Sequence, residues 1–152
     1  MMEVRRYRAS DHDAVWDLHN VALNEVGAHA GNGPWDDDLH RIESEYIEAG
    51  GEFYVGVIDG RIVAMGALKR LTGTRAEICR MRVHPNLQRK GLGTRILSKL
   101  EERARELGFR TLTLDTTAGQ VAAIRMYTKA GYEEVARGRK LGFEVMTFEK
   151  RI

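Results

Sequence analysis

Seven consecutive residues, Gln88-Arg89-Lys90-Gly91-Leu92-Gly93-Thr94, hold the densest potential chemistry in the chain. They follow a strand-like run from Glu77 to Val83 and open a strongly amphipathic helical stretch. Two glycines let the backbone turn tightly, so that several amide N–H groups converge at a helix N-terminus. Unpaired donors and the positive end of the helix dipole make such a turn an anion site. Arg89 and Lys90 add mobile positive charge, and the chemistry implied is capture of a pyrophosphate-bearing cofactor. A dinucleotide fingerprint would need a third glycine where Ile96 stands, and a P-loop would need lysine after the glycine, whereas Lys90 precedes it.

Other reactive residue types are sparse. Cys79 is the single cysteine and lies between Ile78 and Arg80 in the strand-like run, which suits a buried small apolar group better than a nucleophile. His12, His19, His29, His40 and His84 show no ligand spacing, so no metal site is expected. Asp36, Asp37 and Asp38 either attract a cationic amine or complement the dipole at the start of a helix.

These groups need a scaffold. A length of 152 residues suits one domain, residues 1–152, with a substantial core. The balance of 24 basic against 22 acidic side chains leaves +2, without the basic excess of a nucleic-acid binder. A basic set, Arg137, Arg139, Lys140, Lys150 and Arg151, keeps RNA association as a weaker reading. No signal pattern or membrane-length apolar run is present, and a cytoplasmic setting is expected.

Hydrophobic spacing assigns the elements. Glu3 to Arg8 reads as a strand, followed by a helix with Val15, Leu18 and Ala22 on one face. After a glycine-rich loop from Gly27 to Pro34, a second helix is expected with Leu39, Ile42 and Tyr46 aligned, ending at Gly50-Gly51. Phe53–Ile58 and Arg61–Leu68 form a hairpin about Asp59-Gly60, and Arg75–Val83 is the next strand. Leu92, Ile96, Leu97, Leu100, Ala104 and Leu107 mark a helical face; Arg110–Asp115 alternates as a strand, with Thr111 and Thr113 on one side. A helix over Gln120–Ala130, capped by Gly131, precedes strands at Tyr132–Ala136 and Phe143–Glu149. The order β-α-α-β-β-β-α-β-α-β-β predicts an α/β (α+β) domain, one mixed sheet with helices on both faces.

That order, with a glycine turn after the fourth strand, resembles the GNAT superfamily of N-acetyltransferases. The acyl-CoA signature Gln/Arg-x-x-Gly-x-Gly/Ala stands as Gln88 to Gly93, preceded by Met81-Arg82-Val83-His84-Pro85. A second hallmark runs from Ala123 through Tyr127 to Gly131-Tyr132. The resemblance implies a mostly antiparallel sheet of about six or seven strands with about four helices. It also implies acetyl-CoA as co-substrate, with no metal, and an amine as acceptor.

Carried over by position, the amides of Arg89, Lys90, Gly91, Leu92, Gly93 and Thr94, with Gln88 at the head of the motif, would hold the pyrophosphate. Main-chain groups of Met81 and Val83 would pair with the pantetheine arm, and the Met81 amide would polarise the thioester carbonyl. Ala123 belongs to the same cofactor surface. Where many members carry an asparagine seven residues before the tyrosine, this chain has Gln120, an amide longer by one methylene.

Acetyl transfer to an amine requires loss of an ammonium proton whose pKa lies near the lysine value of about 10.4. Glu77, eleven residues before Gln88, occupies the position of a general-base glutamate in histone-type members. Strict alternation would put Glu77, Cys79, Met81 and Val83 on one side of the strand and Ile78, Arg80 and Arg82 on the other. The alternative for Glu77 is an ion pair with Arg75 or a neighbouring strand; water chains without a single base also occur in such enzymes. Tyr127 is the position of a general acid for the departing thiolate, although Ala123, Tyr127 and Ala130 also fit a buried stripe. Arg80 and Arg82 are open to an acidic substrate group or to sheet carboxylates. Trp16 and Trp35 lie where the resemblance places the acceptor site.

The expected activity is therefore transfer of acetyl from acetyl-CoA to a primary amine of a small molecule by direct attack on the thioester. The alternatives are a protein or peptide N-acetyltransferase, or a non-catalytic acyl-CoA-binding regulatory module. The loop from Gly27 to Pro34 is expected to close over the substrate, and a homodimer through the C-terminal strand is left open.

Overall fold

The computed structural model describes residues 1–25 and 31–152. Seven strands form one sheet in the order β1-β2-β3-β4-β5-β7-β6: β1 (Glu3–Arg6), β2 (Glu52–Ile58), β3 (Arg61–Arg70), β4 (Arg75–Val83), β5 (Thr111–Thr117), β6 (Glu133–Lys140) and β7 (Phe143–Arg151). Every neighbouring pair is antiparallel except β4 and β5, which run parallel. The helices are α1 (His12–Glu25), α2 (Leu92–Glu106) and α3 (Val121–Lys129). The mixed, mostly antiparallel sheet matches the expected fold.

Both faces of the sheet are covered, because the central strands are apolar on both sides. On one face Ile96, Leu97, Leu100 and Ala104 of α2 bury against Leu68, Ala76, Ile78, Leu112 and Leu114, with Ile124 and Met126 of α3 packed alongside. On the other, Val15 and Leu18 of α1 close over Phe53, Val55, Met65 and Ala67 together with Leu39, Ile42 and Tyr46.

The second helix departs from expectation. Pro34–His40 is a 3-10 turn and Glu43–Ile47 a π-helical turn, not one α-helix. Asp36 and Leu39 of the 3-10 turn are both buried and stand three residues apart. A three-residue period eclipses side chains on one side of a 3-10 helix, whereas in an α-helix they would drift off the face. Half of the loop expected to close over the substrate, Gly27 to Ala30, lies outside the described residues.

Two features of β4 shape everything beyond it. Its pairing with β5 covers only Arg75–Glu77 against Thr111–Thr113, after which the parallel strands part. It also carries a bulge against β3: Met65 faces Arg82 and Ala67 faces Cys79, so Gly66 alone stands opposite Arg80 and Met81. Arg80 has φ +55 there. One inserted residue reverses the side-chain alternation beyond it. Ile78, Met81 and Val83 consequently pack on the α2 face, while Cys79 lies on the α1 face. The expected common side for Glu77, Cys79, Met81 and Val83 is thus corrected.

Gly66 is what lets Met81 fold inward at the bulge. A Cβ at Gly66 would stand 2.5 Å from Met81 Sδ, 2.6 Å from Ile96 Cγ2 and 2.9 Å from Leu100 Cδ1. Gly66→Ala should therefore lower unfolding free energy by about 1–3 kcal/mol in urea titration, the usual cost of overfilling a packed core. An unchanged midpoint would show that the core yields at this point.

The C-terminal strand is not an edge: β7 lies between β5 and β6, so the sheet edges are β1 and β6. Pairing of two chains through β7 is thereby ruled out as drawn, because the hairpin return of β6 already occupies its outer side. Three of the five basic residues of this hairpin meet carboxylates. Arg137 meets Glu134 and Glu144, Lys140 meets Asp115, and Lys150 meets Glu101. No helix of the described residues is long and apolar enough to cross a membrane.

Candidate functional site

The gap where β4 and β5 diverge opens into two adjoining cavities. The first, about 620 Å³, is lined by Gln88, Arg89 and Gly91 to Thr94 from the glycine turn, by Val83, and by Ala123 and Met126 of α3. Lys90 sits in the same turn but is exposed and does not line the cavity. Gly91 adopts φ +77 and Arg89 φ +64, a pair of left-handed residues that folds the turn back onto α2. No side chain caps α2, and its first internal hydrogen bond is from Arg95 N to Gly91 O. The amides of Leu92, Gly93 and Thr94 are left without an acceptor inside the helix. Their dipole and Arg89 fit an anionic group in this cavity.

Backbone direction along β4 follows from its ladder. The His84 amide donates to Val63 O at 2.8 Å, across β3. By alternation, the main-chain groups of Val83 and Met81 point away from β3, toward the parted β5. Their carbonyls accept side-chain bonds there, Val83 O from Gln88 Nε2 at 3.0 Å and Met81 O from Arg82 Nη1 at 2.8 Å. A strand-like ligand arm would find a sheet edge without a strand partner at this position.

The second cavity, about 490 Å³, lies on the α1 side of the split. Its walls include Glu77, Cys79 and Arg80 of β4, Lys69 of β3, Asp115 of β5, Lys140 and Phe143 of the last hairpin, and Trp35 and Asp36 of the 3-10 turn. Leu23, Met81, Arg82, Gln120 and Tyr127 line both cavities. A group handed from one cavity to the other would pass these residues.

Tyr127 is 4% exposed and packs edge-on against Tyr132, with ring centroids 5.8 Å apart. Its hydroxyl has no hydrogen-bond partner among the described residues. Burial pushes its pKa above the ordinary tyrosine value, and the nearby Arg82 charge works in the opposite direction. The proton therefore stays on oxygen across the neutral range. Gln120 stands at the N-cap of α3 and donates from Nε2 to Thr117 Oγ1 at 3.1 Å.

Glu77 has no ion pair among the described residues. Arg75, its expected alternative partner, bonds Glu149 at 2.5 Å instead. Lys69 lies directly across the ladder from Glu77 but makes no ion pair with it. Burial, then the charge of Asp115, raises the Glu77 pKa; Lys69 and Lys140 partly offset them. Cys79 is a poor nucleophile, since burial and then the Glu77 charge push its thiol up to about 12.

Asp36 and Asp38 serve Arg80 rather than an open acidic surface. Arg80 donates to Asp38 from Nε at 3.0 Å and Nη2 at 2.5 Å, and its Nη1 lies 3.6 Å from Asp36. The Tyr46 hydroxyl also donates to Asp38, and His19 Nε2 meets Asp36 at 3.0 Å. Asp37 is exposed. Trp35 lines the acceptor-side cavity, while Trp16 stacks on His40 with centroids 4.6 Å apart and does not.

Lys69 and Asp115 were not singled out from the sequence. Asp115 shares the side of β5 that carries Thr111 and Thr113, and the latter pairs with Glu77, so strand parity held a usable signal. Lys69 had none, because its place depends on the β3–β4 register. The described residues contain no group of metal-ligating side chains.

Comparison with known proteins bears on the family and the fold. The model of the acetyltransferase (GNAT) family matches residues 13–132. The uncharacterized N-acetyltransferase YjgM of Escherichia coli K12 is 30% identical over 137 residues, covering 87% of this chain and 82% of its own. The ribosomal protein bS18-alanine N-acetyltransferase of Salmonella typhimurium is 30% identical over 128 residues, covering 82% and 76%. The yncA structure from Salmonella typhimurium, solved with its cofactor acetyl-CoA, superposes with a TM-score of 0.83 at 22% identity, covering 99% of this chain and 94% of its own.

Proposed function

Because the chain belongs to the acetyltransferase (GNAT) family and is an acyltransferase, we propose that it moves the acetyl group of acetyl-CoA onto the primary amine of a small molecule by direct attack on the thioester. The observation that carries this reading is the pair of cavities meeting at Met81, Arg82, Gln120 and Tyr127. One is built for an anionic cofactor and the other is lined by charged side chains. Its volume, about 490 Å³, falls in the ordinary range of small-molecule sites.

Acetyl-CoA supplies the acetyl group as an activated thioester. Glu77 takes a proton from the incoming ammonium, directly or through water, leaving a neutral nucleophile. The Met81 amide donates to the carbonyl oxygen as negative charge grows on it. Tyr127 gives its proton to the sulfur as the carbon–sulfur bond breaks. The nitrogen's second proton leaves to solvent, and Tyr127 is reprotonated from there. Gln88, Arg89 and Gly91 to Thr94, with Gln120 and Ala123, hold the cofactor.

Amine-dependent thiol release from acetyl-CoA, followed with a thiol-reactive dye over a panel of small amines, tests the reading. Tight acetyl-CoA binding without release on any amine would count against it.

The pH profile tests Glu77. Its raised pKa means that the base form is lost at a higher pH than for an ordinary glutamate, near 4.3. The ratio kcat/KM should therefore fall on acidification through that raised value, and Glu77→Gln should lower it about 10²- to 10⁴-fold and abolish that limb. The sign for stability is opposite to that of a paired carboxylate. A raised folded-state pKa costs stability as pH rises above the unfolded value. Glu77→Gln should thus be at least as stable as the parent at neutral pH, whereas loss of a structural ion pair would lower stability.

A further inference from the structure

Arg82 is an unspent cation of the acceptor cavity whose Nε is buried. It lies at the junction of the two cavities, on β4 just past the bulge. Its Nη1 donates to Met81 O at 2.8 Å, but its Nε is buried with no partner, and it joins no ion pair among the described residues. Arg80, two residues earlier, takes both nearby carboxylates, Asp36 and Asp38. In the same cavity Asp36 Oδ2 is likewise buried without a partner. A buried guanidinium donor and a buried carboxylate oxygen are each costly to leave unmet, yet these two do not satisfy one another.

A ligand carrying both charges would meet both deficits. We propose, on the acetyltransferase reading above, that the acceptor is a free amino acid whose carboxylate is bound by Arg82 Nε and whose ammonium is received on the Asp36–Glu77 side. Arg82 and Tyr127 line the same junction, so a carboxylate held by Arg82 sits beside the point of acetyl transfer. The amine must then be on the carbon next to the carboxylate or one removed, as in an α- or β-amino acid. A polypeptide N-terminus has an amide at that place and leaves Arg82 unmet. The lowered basicity of Arg82, to about 10 through burial and then the Arg80 charge, is relieved by a bound anion.

Equilibrium binding separates this from the transferase reading. The standard L-α-amino acids and their C-terminal carboxamides are titrated calorimetrically into the coenzyme A-saturated protein, so that differences in amine reactivity do not enter. At least one amino acid should bind about 10- to 100-fold more tightly than its own carboxamide, the scale of a lost charged hydrogen bond. Arg82→Met should erase that preference while leaving carboxamide affinity unchanged, and Arg82→Lys should keep part of it. No carboxylate preference in the parent, no binding by any amino acid, or a preference surviving in Arg82→Met overturns the proposal. The parent comparison of acid with carboxamide decides even if the variants do not fold. A carboxylate preference without amine-dependent thiol release would support the Arg82 site and reject the transfer reaction.

Discussion

Tyr127→Phe is expected to lower the turnover number for acetyl transfer about 10²- to 10⁴-fold, with folding and acetyl-CoA affinity intact. The ring is the structural part of this residue: 4% exposed, edge-on to Tyr132, and part of the core on the α2 face. Phenylalanine preserves that packing. The hydroxyl makes no hydrogen bond among the described residues, so its removal strands no partner and costs little stability. What it removes is a protonated oxygen at the junction of the two cavities. Burial keeps that oxygen protonated through the neutral range. Rapid-quench single turnover, beside calorimetric binding of coenzyme A, separates the two parts. Unchanged turnover with a lowered unfolding midpoint would make Tyr127 an ordinary core aromatic.

Arg80→Met should destabilise the fold by about 3–5 kcal/mol, the scale of stripping one partner from a buried ion pair. Arg80 is 16% exposed and Asp38 18%, and Asp36 is 4% exposed at its side chain. Burial alone would raise the Asp38 pKa, but hydrogen bonds and charge from Arg80, with the Tyr46 hydroxyl, hold it below the ordinary value. In the parent this carboxylate stabilises above the unfolded pKa of about 3.9, and the contribution is lost as pH falls through the depressed folded value. In Arg80→Met burial prevails and the sign reverses, so the deficit should grow as pH rises above about 4. Urea unfolding near pH 4.5 and near pH 7.5 would show it as a widening gap between variant and parent. Adding Asp38→Asn should recover part of the loss at the higher pH, and a double-mutant cycle gives the coupling. Equal destabilisation at both pH values would mean that Arg80 acts by packing alone.

The local elements and the cofactor turn could be read from the chain alone. Gly91 and Gly93 before the helical face of Leu92, Ile96 and Leu100, the Asp59-Gly60 hairpin and the alternation of β5 are determined by neighbours a few residues apart. Such patterns survive translation into sequence because backbone conformation and side-chain period are short-range properties. Glu77 and Tyr127 could be proposed from spacing and resemblance, and folding brings both to the walls of one cavity.

What tertiary structure decided is the identity of the groups facing the acceptor. The bulge opposite Gly66 arises from how β3 and β4 meet, and it exchanges the sides of Met81 and Val83 relative to strict alternation. The β5–β7–β6 order, which removes the C-terminal strand from the edge, depends on pairings 28 to 40 residues apart along the chain. Arg80 and Arg82 look alike in sequence. Only the fold gives the first two carboxylates and leaves the second with an unmet buried donor, because charge pairing is settled by three-dimensional packing rather than by position along the chain.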